Sequence, residues 1–140
     1  MNVMGVRSDL IAEQNALDRI VSSIETSQWG LESPSPGWSV ADQIAHLAYF
    51  DNAAALAISD PEQFQNTVDD LLAMFSRGDD AEASMMASYR SMSPDELLES
   101  WREARLTLAD TSGDLTDKRR VVWYGPSMGS KSFLTARLME

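Results

Sequence analysis

The sequence predicts an all-α protein, a four-helix bundle with short extra helices. Apolar residues recur every three or four positions through four long segments, whereas the alternation typical of strands is almost absent. Helix-start signals at Ser39, Asp60 and Ser93 stand directly before three of these segments. With 44% hydrophobic residues, a chain of 140 residues can bury one core, so we expect a single domain over residues 1–140.

The first predicted helix runs from about Val6 to Glu25 and carries apolar residues at helical spacing. Residues 26–37, TSQWGLESPSPG, form the connection that follows, because proline and glycine interrupt helices and strands. Trp29 and Leu31 lie within this polar segment, and we expect them to fasten it to the bundle.

The second predicted helix, within Gly37–Ile58, is the element around which the chain is organised. Ser39 and Asp42 form a capping box, in which side chains bind backbone N–H groups at the helix start. The helix is apolar over most of its circumference, so ionisable groups on it need partners. It carries His46, the only histidine of the chain, and Asp51, which lies inside the apolar stripe about 140° away.

Asp60-Pro61 begins a third helix, and the capping box Ser93–Glu96 begins a longer one. A short helix around Met86 is expected between them. The apolar stripe of the third helix comprises Phe64, Val68, Leu71, Leu72 and Phe75.

Near the C-terminus, Val121–Tyr124 predicts a short extended piece, and a final helix begins near Ser130. Its apolar pattern reaches the last residue without a cap, so we expect that this last bundle helix is cut off. The stretch Gly125–Ser132 nearly spells a phosphate-binding loop. However, Ser130 replaces its glycine and Pro126 removes an N–H, so a plain turn before a helix is the better interpretation.

Charge and composition exclude several classes of function. The formal net charge is −11, which disfavours nucleic acid and anionic membranes as partners. The absence of cysteine excludes disulfides, cysteine-ligated zinc and a protein thiol nucleophile. The N-terminal residues lack the hydrophobic core of a signal peptide, so we expect a cytoplasmic protein.

His46 has two interpretations from the residues alone. It is either a hydrogen-bonded structural histidine or a metal ligand, since imidazole is a common ligand and bundle cores build metal sites from facing helices. For Asp51 we favour a structural role, as a buried carboxylate bound to backbone N–H groups, to Arg102 or Arg105, or to an aromatic side chain of Trp123 or Tyr124.

The order of elements resembles the DinB/YfiT-like metal-binding four-helix bundles, and most closely the mycothiol-dependent maleylpyruvate isomerase N-terminal domain family. The residues that carry the resemblance are Gly37-Trp38-Ser39-Val40, Asp42, His46-Leu47, Trp123-Tyr124-Gly125-Pro126 and Ser132–Glu140. In that family, one divalent metal is bound by a histidine of the second helix and by an E-x-x-x-H pair of the last helix. His46 matches the first ligand and Glu140 matches the glutamate.

The resemblance implies a divalent metal, zinc or nickel, and thiol chemistry with mycothiol or a related thiol. Trp123 and Tyr124 would then be walls of the pocket that holds the thiol or a small-molecule substrate. The family's second histidine would fall four residues beyond Glu140, so we expect these 140 residues to bind metal weakly or not at all by themselves. We name no catalytic side chain, and whether the chain is an enzyme stays open.

Two other functions remain open at the level of sequence. The bundle could be a metal-free interaction or dimerisation module in which His46 is only structural. It could also be a small-molecule binder that uses the central cavity. Because the last helix leaves an apolar face uncovered, we expect association, with a homodimer as the simplest form.

Overall fold

The computed structural model describes all 140 residues and contains six α-helices and one small hairpin. The helices are α1 (Val3–Val21), α2 (Val40–Ser59), α3 (Pro61–Ser76), α4 (Ala81–Arg90), α5 (Pro94–Thr111) and α6 (Ser130–Leu138). The strands are β1 (Arg120–Val121) and β2 (Met128–Gly129), and they pair antiparallel. The all-α prediction is therefore confirmed, and no helix has the length and apolar character needed to cross a membrane.

Three helix starts lie where the caps predict them. Ser39 Oγ accepts a hydrogen bond from the Asp42 N–H, and Asp42 accepts one from the Ser39 N–H, each at 3.1 Å. Ser93 and Glu96 form the same reciprocal pair at the start of α5. Asp60 caps α3, with Pro61 at its first position. These side chains satisfy N–H groups that the first helical turn leaves free, so they fix where each helix begins.

Helix α2 is the centre of the fold. It packs against α5, α3 and α4, while α1 packs against α6 and α5. Small buried residues along α2 let its neighbours approach closely: Ala45, Ala48, Ala54, Ala55 and Ala57. The core consists of two clusters of buried side chains, and α2 contributes to both of them. Side chains of α1 and α6 also reach the middle of α2, where His46 and Asp51 lie, because Gln14 and Arg137 both bind Asp51.

The predicted apolar stripe of α3 is only half buried. Phe64 and Val68 are in the core, but Leu72 is 60% exposed and Phe75 is 76% exposed. Helix α3 packs mainly against α2 and α4, and its N-terminal half also meets Trp123 through Phe64, whereas the large side chains of its C-terminal half stay exposed. In the connection after α1, Trp29 is buried as expected, whereas Leu31 is 57% exposed.

The C-terminal segment carries the hairpin and α6 back onto the bundle. Arg120 pairs with Gly129 and Val121 with Met128, so the stretch that resembles a phosphate-binding loop is a hairpin turn followed by α6. The buried Ser130 hydroxyl donates to the Arg119 carbonyl at 2.8 Å and fastens the start of α6. Helix α6 then packs against α1, and the buried Arg137 lies on α6, while Glu140 follows the helix at the edge of the core.

Candidate functional site

His46 and Glu140 meet at one side of the bundle. The His46 Nε2 atom lies 2.7 Å from Glu140 Oε2, although 94 positions separate the two residues in the sequence. Their side chains are 28% and 37% exposed, so the pair lies at the edge of the core and within reach of solvent. The two residues that the sequence suggested as metal ligands are thus in direct contact.

Behind this pair lies Arg137, a buried cation on α6. Its Nη2 atom donates to Asp51 Oδ1 at 2.9 Å, and its Nη1 atom lies 3.4 Å from Glu140 Oε1. Gln14 of α1 donates to the other Asp51 oxygen at 3.2 Å. The polar groups therefore form a continuous row from the His46 imidazole to the core, in which Arg137 connects the two carboxylates.

Asp51 is buried, and it has other partners than those the sequence suggested. Burial raises the pKa of its carboxyl group, and the charge of Arg137 and its hydrogen bond oppose that rise. Arg102 and Arg105 bind Asp18 of α1 instead, at 2.7 and 2.8 Å, and so they cannot be the counter-ions of Asp51. Asp51 is therefore a buried, hydrogen-bonded carboxylate, as the sequence suggested, but its counter-ion is Arg137 of α6.

Aromatic rings surround the His46 imidazole. Trp38 meets it edge to face with ring centres 5.5 Å apart, and the ring centre of Phe50 lies 4.7 Å from that of the imidazole. Rings at these distances hold the imidazole in one orientation. Its Nε2 atom is thereby directed at Glu140.

Trp123 and Tyr124, the expected pocket walls, belong to a layer beyond Phe50. Their ring centres lie 6.4 and 5.8 Å from that of Phe50. Trp123 stacks parallel on Phe64 at 5.4 Å. Tyr124 has a raised pKa because it is partly buried and lies beside Tyr49. Both residues are half-buried, and they pack on Phe50, which itself packs on the imidazole.

The comparison with known proteins identifies the family. The mycothiol maleylpyruvate isomerase N-terminal domain matches residues 10–140. The chain belongs to this family. Two uncharacterized proteins from two strains of Mycobacterium tuberculosis are each 36% identical to it over 133 residues. These matches cover 95% of this chain but 51% of each relative, so the chain spans about half the length of the curated relatives it matches. No solved structure gives a significant match.

Membership of the mycothiol maleylpyruvate isomerase N-terminal domain family raises the question of a metal. His46 and Glu140 offer one nitrogen and one carboxylate, and no group of three or more His, Cys, Asp or Glu side chains could hold an ion. Catalytic zinc sites commonly have three protein ligands. Arg137 also lies against Glu140 and competes for its negative charge. The two candidate ligands are therefore fewer than the three that such a site commonly uses.

Sequence reasoning missed Arg137 and Gln14. A signal for Arg137 was present, because it precedes Glu140 by three positions and residues at that spacing share a helical face. The buried carboxylate of Asp51 also required a cation nearby. A signal for Gln14 was present too, because it lies between Leu10 and Leu17 on the buried face of α1, where a polar side chain needs a partner.

Proposed function

We propose that this domain contributes His46 and Glu140 to a divalent metal site related to those of mycothiol-dependent isomerases. One observation carries the proposal, the 2.7 Å contact between His46 Nε2 and Glu140 Oε2. Imidazole nitrogen and carboxylate oxygen are both common zinc ligands. The two aromatic rings packed against the imidazole support the same conclusion, because a ligand with a fixed orientation loses less entropy when it binds an ion.

The site is incomplete within residues 1–140, so at least one further donor has to come from elsewhere. A further segment of the protein, a second protein chain or a small-molecule thiol would each supply one. The third source agrees with the composition, because the family name implies a thiol and this chain contains no cysteine. We therefore expect weak binding of zinc or nickel by these residues alone.

Calorimetric titration with zinc and with nickel tests the proposal. It is applied to residues 1–140 and to a longer protein that continues past Glu140. In the longer protein, His46→Ala and Glu140→Gln should each weaken binding about tenfold or more, because each removes a donor. Glu103→Gln, which changes an exposed carboxylate on α5, should leave the affinity unchanged. The proposal fails if the longer protein takes up no metal or if His46→Ala binds it equally well.

The interaction module is the second candidate, and one observation favours it. Leu72 and Phe75 of α3 expose large apolar side chains next to each other on the helix surface. If these side chains mediate association, light scattering should give twice the mass of the chain, and Phe75→Ser should return it to the monomer. A monomeric wild-type chain at high concentration would exclude this candidate.

A further inference from the structure

A groove of about 330 Å³ lies between α3 and α4. Both helices pack on α2 more extensively than on each other, so they leave this space between them. The apolar side chains that line the α3–α4 groove come from three helices: Tyr49 of α2, Leu71 and Met74 of α3, and Met85 and Tyr89 of α4. Its lining includes neither His46 nor Glu140 and no residue of α6, so the groove is separate from the candidate metal site.

The α3–α4 groove has two features that are typical of a docking surface. Its two methionines, Met74 and Met85, have unbranched side chains that adapt to the shape of a partner. Phe75 follows Leu71 by one helical turn, so the two residues are neighbours on the surface of α3, and Phe75 is 76% exposed. Exposed apolar surface that is continuous in this way commonly marks a site of protein interaction.

Negative charge accompanies this apolar surface. Asp70 is part of the lining, and Glu82 precedes Met85 by one turn of α4. Residues 61–90 contain six carboxylates and two arginines, and each arginine already forms an ion pair with an aspartate. A second copy of the chain would bring two such sets of carboxylates together, whereas Lys and Arg side chains of a different partner would pair with them. Charge complementarity therefore favours a basic partner.

The groove also restricts the backbone conformation of that partner. Its walls are helices, whose backbone N–H and C=O groups bind each other, so an extended segment would gain no main-chain hydrogen bonds from them. An amphipathic helix satisfies its own backbone and can place apolar side chains every three or four positions into a groove.

We propose that the α3–α4 groove docks a basic amphipathic helix of a protein partner. The apolar face of that helix would enter the groove and cover Phe75, and the Lys or Arg side chains beside this face would pair with Asp70 and Glu82. The proposal uses neither His46 nor Glu140, so it is tested independently of the metal site.

Three peptides of about 14 residues separate the parts of the proposal. The first places leucine on one helical face and lysine on the other, the second has glutamate in place of each lysine, and the third distributes leucine and lysine over all faces. Fluorescence anisotropy of labelled peptides measures binding to residues 1–140 and to the longer protein that continues past Glu140. We expect saturable binding of the first peptide that weakens with salt, and binding of the other two at least about tenfold weaker. Equal binding of the second or third peptide would overturn the proposal.

Two matched pairs of variants locate the peptide. Phe75→Ser and Asp70→Lys change the surface at the groove, whereas Leu106→Ser and Glu103→Lys make corresponding changes on the exposed face of α5. The variants at the groove should each weaken binding of the first peptide about tenfold, and the variants on α5 should leave it within about twofold. Equal effects of the two pairs would mean that the peptide is attracted only by the net negative charge, and the proposal would then fail.

Two further outcomes would assign the groove to another occupant. A dimer that light scattering detects and that Phe75→Ser dissociates would place a second copy of the chain on this surface. Binding of the first peptide to residues 1–140 but not to the longer protein would mean that a further segment of the protein covers the groove. Either result would contradict docking of a separate basic helix.

Discussion

Arg137 is the residue on which the site depends most. It is buried between two carboxylates, one in the core and one at the surface, and it joins α6 to α2. A buried charge is tolerated only when its partners remain in place. The positions of Glu140 and Asp51 are therefore coupled through one guanidinium group.

Removal of the Asp51 carboxylate tests whether the buried Arg137 charge depends on this partner. Asp51→Ala leaves the buried Arg137 without its closest counter-ion, so we expect a loss of about 3–5 kcal/mol in the free energy of unfolding. Asp70→Ala, at an exposed position of α3, should change it by less than about 0.5 kcal/mol. Urea unfolding followed by circular dichroism measures both. A loss below about 1 kcal/mol for Asp51→Ala would show that the pair is dispensable.

Asp18 makes stability depend on pH. Hydrogen bonds and charge from Arg102 and Arg105 lower its pKa from 3.8 to about 2. A lowered pKa in the folded state stabilises the fold above about pH 4, and this contribution is lost as the pH falls towards 2. Asp51 has the opposite effect on the pH dependence of stability. Its pKa is raised in the folded state, so protonation in acid favours the folded chain.

The variant Asp18→Asn isolates the Asp18 contribution. It should lower the free energy of unfolding by about 1 kcal/mol at pH 7, because solvent screens part of the interaction. The difference from the unaltered chain should shrink as the pH falls from 4 to 2. Urea unfolding across that range gives the comparison. A difference that is the same at pH 7 and pH 2 would contradict the assignment.

How far residue partners could be predicted from sequence depended on the residue. Glu140 was placed beside His46 only through the family resemblance, because helical spacing says nothing about residues 94 positions apart. The need of Asp51 for a cation followed from its position in an apolar stripe, but the sequence offered 11 Lys and Arg residues. Arg137 is the partner of Asp51 because α6 packs against α1, and the packing of distant helices cannot be read from local sequence patterns.

At the scale of elements, a helix start could be predicted where all the residues that define it are neighbours in the sequence. The starts of α2, α3 and α5 were predictable because each cap lies within four consecutive residues. Burial on α3 was overestimated, because a continuous apolar stripe does not reveal which of its residues meet a neighbouring element, and Leu72 and Phe75 meet none that buries them. The partner of β1 was not predicted, because pairing with β2 depends on the turn between them.

Helix α3 supplies a test in which one helix carries both the variant and its control. Phe64 is fully buried and stacks on Trp123 with ring planes 1° apart. Phe64→Ala should therefore cost about 3–5 kcal/mol of the free energy of unfolding. Phe75→Ala removes the same group where it is 76% exposed and should cost less than about 0.5 kcal/mol. Equal losses, measured by urea unfolding, would mean that α3 is docked differently.

At the scale of the whole molecule, α2 unites the fold because it contributes to both core clusters. The single domain over residues 1–140 remains a prediction, and cooperative unfolding tests it. Because α2 packs in both clusters, loss of one cluster should destabilise the other, so we expect one transition in urea. Tryptophan fluorescence and circular dichroism should then give the same midpoint. Two separated midpoints would indicate that the clusters unfold independently.

The central claim is that His46 is a metal ligand, and NMR of its imidazole nitrogens tests it most directly. His46 is the only histidine of residues 1–140, and in the longer protein its signals are identified by their loss in His46→Ala. The measurement is a zinc titration of nitrogen-15-labelled protein that continues past Glu140. We predict that the Nε2 signal shifts to a new position and saturates, while Glu140→Gln weakens the change. An Nε2 signal that stays in place at saturating zinc would contradict the claim and leave His46 as the hydrogen-bond partner of Glu140.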